Sequence, residues 1–311
     1  MISRRHVLTG LAAAAFSGFG LGSYALAEPF RLCVTRYRLT PPGWPAGLRL
    51  RLAVIADLHA CDPWMTRERI LRIVERTNAL GADAILLLGD YVASMRISKL
   101  SWPVAHDEWA SALAHLDAPL GVHAVLGNHD WWEDYEVQRR RAGPTPAGEA
   151  LVRAGIRVYE NDAVRLETRG GAFWLAGLGD QWAFWPRREE YANFKTRGKI
   201  DYTGVADLEG TLAKITDDAP VVLMAHEPDV FPRVPHRVSL TLSGHTHGGQ
   251  VRIFGYTPVV PSRYGSRYAY GHIVEDGRNL LVSAGLGCSG VPIRFGSPPE
   301  IVLAELGYDA T

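Results

Sequence analysis

Five short apolar runs in this 311-residue chain are each followed at once by aspartate, asparagine or histidine side chains. The runs occupy residues 48–56, 84–88, 122–126, 221–225 and 238–242. Segments with helical spacing of apolar residues follow the first and second runs, at about 66–81 and 108–116, so the chain is predicted to be an α/β protein. In open α/β sheets, binding sites form beyond the carboxyl ends of the strands. Five such ends therefore predict one shared site.

The residues at these strand ends offer both oxygen and nitrogen ligands for metal ions. Three carry a carboxylate or amide oxygen and four carry an imidazole: Asp57, Asp90, Asn128, His59, His226, His245 and His247. Mixed ligands of this kind are typical of sites for Mn²⁺, Fe²⁺, Zn²⁺ or Co²⁺, whereas Mg²⁺ and Ca²⁺ prefer oxygen alone. Seven ligands exceed the needs of one ion, so we expect two divalent metal ions, with a carboxylate such as Asp90 bridging them.

The motifs at the strand ends occur in the order Asp-x-His, Gly-Asp, Gly-Asn-His-Asp, His and Gly-His-Thr-His, between residues 57 and 247. In this order they resemble the calcineurin-like metallophosphoesterase superfamily. Together with segments 244–250 and 292–301 and the N-terminal segment described below, they resemble its YkuE/YaeI-like branch of exported bacterial phosphodiesterases. The resemblance implies a four-layer αββα sandwich of two mixed β-sheets flanked by helices, with the metal site at the carboxyl ends of the strands.

The resemblance also implies roles for individual residues. One metal ion is expected at Asp57, His59 and His247, the second at Asn128, His226 and His245, and Asp90 is expected to bridge them. His129 is the histidine of the family that does not bind metal, and Asp130 matches the residue that orients it. The implied reaction is cleavage of a phosphoester by a metal-bridging hydroxide, with His129 stabilising phosphoryl charge or protonating the leaving alkoxide.

The N-terminal segment carries adjacent arginines, Arg4 and Arg5, before an uncharged run at 7–26, and the small-x-small pattern of a cleavage site occurs at 25–27. This pattern is similar to a twin-arginine export signal, which predicts recognition by the twin-arginine export machinery and a periplasmic or cell-envelope location. We expect cleavage of residues 1–27, which leaves 28–311 as a single metallophosphoesterase domain. The alternative is an uncleaved membrane anchor, because about 20 residues are just enough to span a bilayer.

The charge balance of the chain argues against one class of partner. The chain has 33 basic and 33 acidic residues, and removal of residues 1–27 takes away two arginines and no acid, which leaves 31 against 33, or −2. Such a balance argues against a protein held to nucleic acid by bulk charge. We expect a small-molecule, lipid or glycan phosphoester as the substrate, and peripheral contact with a membrane is left open.

Residues 181–204 form an aromatic and basic insertion relative to the compact pattern of the family. We expect either a lid that contacts a lipid or glycan leaving group or the membrane surface, or a surface excursion whose aromatic side chains pack on the domain. Trp131 and Trp132 are expected to line the mouth of the site. Arg263 and Arg294 are candidates for phosphate or sugar contacts, because arginine presents a planar fork to oxyanions.

Three functions are compatible with these motifs. We expect an exported two-metal phosphohydrolase, and more specifically a phosphodiesterase. A pyrophosphohydrolase acting on a lipid-linked nucleotide sugar, of the UDP-diacylglucosamine type, is a second hypothesis, and export counts against it if the substrate is cytoplasmic. A non-catalytic scaffold with this fold is a third hypothesis, which is weakened because all seven candidate ligands and His129 are present.

Overall fold

The computed structural model describes residues 20–94, 101–187 and 202–308, which form two facing sheets with helices on their outer faces. Most of the predicted export signal at 1–27 and most of the insertion at 181–204 lie outside the described residues. The division of the chain into 1–27 and 28–311 therefore stays a prediction.

The strands of both sheets follow from the apolar runs of the sequence. In chain order they are β1 (Cys33–Leu39), β2 (Leu50–Ile55), β3 (Cys61–Asp62), β4 (Ala84–Leu87), β5 (Trp102–Pro103), β6 (Val122–Ala124), β7 (Arg157–Val158), β8 (Asp162–Thr168), β9 (Gly171–Gly177), β10 (Val221–Met224), β11 (Leu240–Ser243), β12 (Gly271–Glu275), β13 (Arg278–Val282) and β14 (Glu300–Leu306). The first sheet has the order β1–β14–β2–β4–β6–β7 and the second β12–β13–β11–β10–β9–β8, while β3 pairs with β5.

Both sheets contain parallel and antiparallel pairs. In the first sheet β2, β4, β6 and β7 are parallel, and β14 joins β2 in antiparallel register. In the second sheet β9, β10, β11 and β13 are parallel, and the edge strands β8 and β12 are antiparallel to their neighbours. The β12–β13 hairpin turns at Asp276 and Gly277, which both have positive φ, as is typical of an Asp-Gly turn between two strands.

The sheets face each other across an apolar core. In β2, Leu52 and Val54 pack in a cluster that also contains Leu175 of the second sheet. Ala53 and Ile55 lie in a separate cluster with the helices on the outer face. Because successive side chains of a strand point to opposite faces, a strand that is apolar on both faces must be covered on both. The continuous apolar runs of the sequence are therefore strands buried between layers.

Helices cover the outer faces of the two sheets. Among the described residues these helices are Arg67–Asn78, His106–Leu113, Asn128–Trp132, Tyr135–Arg140, Pro146–Arg153 and Leu208–Ala213, with 3₁₀ turns at Glu28–Phe30, Pro228–Arg233, His247–Gly249 and Gly265–Tyr268. The side chain of Thr66 accepts the N–H of Arg69 (3.3 Å) and caps the first of these, and Ile70 packs in the outer cluster of the first sheet. Leu208 and Leu212 pack outside the second sheet. This arrangement confirms the predicted four-layer sandwich.

The loops after β2, β4, β6, β10 and β11 carry the predicted ligands and lie side by side. Beyond the first sheet, the N–H of Asp57 donates to the carbonyl of Gly89 (3.0 Å). Beyond the second sheet, the N–H of Gly244 donates to the carbonyl of His226 (3.0 Å). These bonds continue the strand pairing past the sheet edges, so the polar residues of both sheets converge.

Residues 20–27 form a helix that packs against the C-terminal part of the domain. The ring of Tyr24 lies 5.3 Å from that of Phe295, and the N–H of Arg294 donates to the carbonyl of Ala25 (3.0 Å). Within the described residues, no helix has the length and apolar character that crossing a membrane requires.

Candidate metal centre

The backbone at the predicted site is held in an uncommon conformation. Five of the seven predicted ligands have φ between 47° and 68°: Asp57, His59, Asp90, His245 and His247. This left-handed region costs free energy for residues other than glycine, so it persists only where the surroundings enforce it. The chain turns sharply at these five positions after the strands end, and the turns bring the ligand side chains of different loops together.

The first cluster consists of Asp57, His59 and His247, whose ligand atoms lie within 4.8 Å of one another. Nε2 of His59 lies 3.1 Å from Nε2 of His247, which in turn lies 3.7 Å from Oδ1 of Asp57. Nδ1 of His59 lies 2.9 Å from the carbonyl of Val92, so this N–H donates outward and the Nε2 lone pair faces the cluster. Burial lowers the pKa of His59 to about 4, which keeps the imidazole neutral and able to bind metal.

The second cluster consists of Asp90, His226 and His245, again with ligand atoms within 4.8 Å. Nδ1 of His226 donates to the carbonyl of Leu88 (2.6 Å), and Nε2 lies 3.3 Å from Oδ2 of Asp90. The same Asp90 oxygen lies 3.6 Å from Nε2 of His59 in the first cluster. Asp90 therefore stands between the two clusters, as a bridging carboxylate would.

The electrostatics of the second cluster favour positive charge. Burial alone would raise the pKa of Asp90, but the imidazoles of His226 and His129 hold it well below its ordinary value. Burial alone would lower the pKa of His226, but the neighbouring Asp90 raises it well above its ordinary value. A buried carboxylate that draws a proton onto an adjacent histidine is a carboxylate that a cation would stabilise.

Buried ligand atoms without hydrogen-bond partners also indicate that these residues can bind metal ions. Oδ2 of Asp57, Oδ1 of Asn128 and Nε2 of His245 are buried and have no hydrogen-bond partner among the described residues. An unpaired buried polar atom costs roughly 1–3 kcal/mol, so a fold that retains several beside two His/Asp clusters is built for a ligand that compensates them. The oxygen and nitrogen donors suit the divalent ions expected from the sequence.

Two glycines of the sequence motifs are required because ligand side chains of neighbouring loops lie too close to admit a Cβ atom. A Cβ on Gly127 would lie 2.4 Å from Oδ1 of Asp90 and 2.6 Å from Cε1 of His226. A Cβ on Gly244 would lie 2.7 Å from Oδ2 of Asp57. The glycines before Asn128 and His245 therefore leave room for the ligands of the neighbouring loops.

His129 lies beside the clusters but is held by a different residue from the one expected. Its Nδ1 lies 3.1 Å from Oε1 of Glu133, one helical turn later. The resemblance implied that Asp130 orients this ring, and the structure corrects that expectation. The Asp130 carboxylate instead accepts four backbone N–H groups, those of Asp90 (2.9 Å), Tyr91 (2.9 Å), Val92 (3.2 Å) and Gly127 (2.8 Å). Asp130 thus joins two ligand-bearing loops.

A cavity of about 390 Å³ opens over the second cluster, where Asp90 and His245 line it, and aromatic side chains form one wall of it. The wall consists of Trp132, Trp182, Trp185 and Tyr202. Trp132 lies 4.2 Å from Trp185 and 5.1 Å from Tyr202 between ring centroids, and Trp182 lies 4.7 Å from His245. The described residues of segment 181–204, which the sequence predicts to be an insertion, thus contribute three rings to the pocket.

Two sequence expectations near the pocket are wrong. Trp131 does not line the pocket, because it is buried and its ring packs against Phe184 at 5.5 Å. Arg294 is no substrate contact, because it is fully buried and donates to the carbonyls of Gly287 (3.0 Å), Ser297 (2.8 Å) and Ala284 (2.9 Å). It holds the loops behind His247, whose Nδ1 is 3.3 Å away.

Sequence reasoning missed three acidic residues at the site. Besides Glu133, two buried carboxylates, Asp180 and Glu227, lie close enough to His226 to interact with it electrostatically. Burial and the charge of Glu227 raise the pKa of Asp180 well above its ordinary value. Glu227 follows His226 directly in the chain, and that adjacency was the available signal. Asp180 follows the end of β9 by three residues, so its position after a strand was the signal there.

The sequence from residue 50 to residue 249 matches the model of the calcineurin-like phosphoesterase family, and the chain belongs to this family. It is 27% identical to the uncharacterized metallophosphoesterase YkuE of Bacillus subtilis, over 98% of each chain. It is 29% identical to the phosphodiesterase YaeI of Escherichia coli, over 98% of this chain and 100% of that protein. Among solved structures, it is similar to a dimetal phosphatase from Danio rerio, with a TM-score of 0.40 and 14% identity, covering 76% of this chain and 88% of that one.

Proposed function

We propose that this protein is an exported two-metal phosphohydrolase that cleaves phosphodiesters. The observation that carries the proposal is a pair of buried His/Asp clusters joined by Asp90, which lines a pocket together with Asn128, His129 and His245. The name of the relative YaeI, a phosphodiesterase, supports the diester preference. Family membership by itself supports only phosphoester chemistry.

The residues of this chain divide the work of such a reaction. Asp57, His59 and His247 would hold one divalent ion, and Asn128, His226 and His245 the other, with Asp90 between them. The ions would polarise the phosphoryl oxygens and lower the pKa of the attacking water. Nδ1 of His129 is held by Glu133, so Nε2 is the ring atom that would deliver a proton to the leaving oxygen in the pocket. Burial opposes protonation of His129, but Asp90 and then the Glu133 carboxylate, which is 3.1 Å from Nδ1, raise its pKa above the ordinary value.

Hydrolysis of a phosphoester panel tests this proposal. The full chain is supplied with Mn²⁺, Fe²⁺, Zn²⁺ or Co²⁺ and offered aryl phosphate monoesters, aryl phosphate diesters and a UDP-sugar lipid. We expect diesters to be turned over fastest and His129→Ala to lower kcat about 10²–10⁴-fold, the range for loss of a general acid. A variant Tyr135→Ala, at an exposed position on another helix, serves as the matched control. Equal rates for wild type and His129→Ala would contradict the proposal, and turnover of the UDP-sugar lipid alone would favour the pyrophosphohydrolase hypothesis.

Export through the twin-arginine machinery is part of the same proposal. The support is the pair Arg4 and Arg5 before an uncharged segment. The test is the location of the full chain in a bacterial host, compared with a variant in which both arginines are lysine, since this change conserves charge. We expect the wild type in the periplasmic or envelope fraction and the variant in the cytoplasm; the same location for both would contradict it.

A further inference from the structure

An apolar groove adjoins the pocket that contains Asp90 and His129. It encloses about 590 Å³ and is lined by the side chains of Val251, Pro258, Val259, Pro261 and Val291, among others. Pro261 and Ser289 line both the groove and the pocket, and His247 of the first metal cluster lies at one end of the groove. The groove is therefore continuous with the place where a phosphoester would bind.

The two walls of this groove are tied together. Gln250 begins one wall, and its side-chain amide donates to the carbonyls of Ser289 (3.3 Å) and Val291 (2.9 Å) in the other. The same side chain accepts the N–H of Ser289 (2.8 Å). Next to Val251 in the chain, the N–H of Arg252 donates to the carbonyl of Phe295 (2.6 Å). The groove is thus formed in advance and does not depend on a ligand to open it.

The lining of the groove selects for apolar ligands. Among the described residues, those that line the groove include no carboxylate, ammonium or guanidinium group, and their side chains are mainly valine and proline. A sugar or a nucleotide base would need hydrogen-bond donors and acceptors to replace its lost water, whereas an alkyl chain needs only apolar surface. The amide of Gln250 is already engaged with the opposite wall.

A hairpin at the rim of the groove exposes apolar side chains to solvent. Ile253 and Tyr256 pair through two backbone hydrogen bonds of 2.9 Å, and Phe254 and Gly255 form the turn between them. Phe254 is fully exposed and has a φ of 49°, a conformation that bulky residues rarely adopt. Neither its packing nor its backbone preference stabilises the fold, so an aromatic residue at this tip indicates contact with something outside the chain.

We propose that the groove binds an alkyl chain of the phosphoester substrate, and that the hairpin from Ile253 to Tyr256 enters the lipid surface from which that substrate is taken. The proposal rests on the proposed phosphodiesterase function and names its substrate class, a phosphodiester with an apolar chain. A convex tip with an aromatic side chain suits insertion between lipids, and the adjoining groove offers the chain an apolar path toward the metal clusters.

Chain-length dependence tests the groove. The substrates are p-nitrophenyl methyl phosphate and p-nitrophenyl hexyl phosphate, both kept as monomers, with the full chain and Mn²⁺. Water adds to phosphorus, the P–O bond to the aryl group breaks, p-nitrophenolate leaves and is measured by absorbance, and the alkyl phosphate remains. A fully buried methylene changes affinity roughly fourfold. The groove is open on one side, so we expect the five additional methylenes to lower KM at least tenfold in total.

A pair of matched variants locates that effect. Val259→Asp places a charge in the groove, and Val152→Asp places the same charge on the exposed face of a distant helix; the two valines are 73% and 62% exposed. We expect the ratio of the methyl to the hexyl KM to fall to about one in Val259→Asp and to keep its wild-type value in Val152→Asp. The ratio is internal to each variant, so a change in the active fraction of the protein does not affect it.

The outcomes separate this proposal from the one on which it rests. If neither diester is hydrolysed, the proposed phosphodiesterase function fails. If both are hydrolysed with equal KM, or if Val259→Asp keeps the wild-type ratio, the function stands and the groove proposal is overturned.

An environment-sensitive fluorophore tests the hairpin. Phe254→Cys and, as the matched control, Tyr135→Cys are labelled with a nitrobenzoxadiazole dye, and the signal from labelled wild type is subtracted because Cys33 is partly accessible. Vesicles of phosphatidylethanolamine and phosphatidylglycerol are then added to the full chain. We expect emission to rise severalfold at position 254 and to stay constant at position 135. Equal responses at the two positions would overturn the insertion of the hairpin.

Discussion

The carboxylate of Asp130 is expected to hold the metal centre together, and replacement by asparagine measures this role. The carboxylate accepts four buried backbone N–H groups at 2.8–3.2 Å, three from the loop after β4 and one from Gly127. The single oxygen of an asparagine can accept two of them, and its NH₂ group then faces the other two. Each unsatisfied N–H costs about 1–3 kcal/mol, so Asp130→Asn should destabilise the fold by about 2–6 kcal/mol.

The assay combines thermal unfolding with metal titration of the full chain. For a domain of this size each kcal/mol corresponds to roughly 2–4 °C, so the smallest expected loss lowers Tm by about 4–8 °C. Metal affinity should fall as well, because Asp90 and Asn128 lie on the two loops that the carboxylate joins. The control is Glu133→Gln, whose half-exposed side chain contacts His129; it should leave Tm within about 1 °C and lower kcat.

The opposite pattern would refute this reasoning. If Asp130→Asn keeps the wild-type Tm and metal stoichiometry and loses only kcat, then the residue acts through His129, as the family resemblance implied. If Glu133→Gln keeps the wild-type kcat, then the contact of 3.1 Å with His129 has no part in positioning that ring.

Three further predictions concern other parts of the molecule. Burial lowers the pKa of His123 below its ordinary value, so the native state resists its protonation and stability is lost as pH falls below about 6.5. In that pH range, His123→Gln should reduce the slope of unfolding free energy against pH by at most about 1.4 kcal/mol per pH unit. Urea unfolding between pH 7 and 5 measures this slope. Gly127→Ala should lower metal binding at least tenfold by calorimetry, since its Cβ would overlap Asp90, whereas Gly143→Ala, with its nearest contact at 3.5 Å, should keep it. Trp185→Ala should raise KM for aryl diesters severalfold with little change in Tm, because this ring lines the pocket and is 39% exposed.

The sequence predicted the α/β fold and the shared site because both depend on local patterns, whereas the four layers followed from the family resemblance. An apolar run such as 84–88 fixes a buried strand, and the polar residues directly after it must lie at the sheet edge. The split between clusters followed from the family resemblance, and Asp57, His59 and His247 do lie together, as do Asp90, His226 and His245. Asn128 lines the pocket beside them.

The parts that the sequence could not predict depend on contacts between distant segments or on a choice between neighbours. Asp130 and Glu133 are both within reach of His129 by sequence, and only the helix starting at Asn128 shows that the residue four positions later contacts the ring. Likewise, Trp131 and Trp132 are adjacent, but the helix turns one toward Phe184 in the core and the other toward the pocket.

The positive φ values explain why the ligands come as short motifs and not as isolated residues. A strand end that must reverse direction within one or two residues needs either glycine or a residue that the surroundings hold in the left-handed region. Here Gly89 and Asp90 both have positive φ, and the N–H groups of Asp90 and Tyr91 are held by the Asp130 carboxylate. The backbone hydrogen bonds that enforce these turns come from neighbouring loops, so each motif stabilises the geometry of another. The loss of one loop contact should therefore disturb both His/Asp clusters together. For this reason metal stoichiometry, and not activity alone, is the decisive measurement for Asp130→Asn.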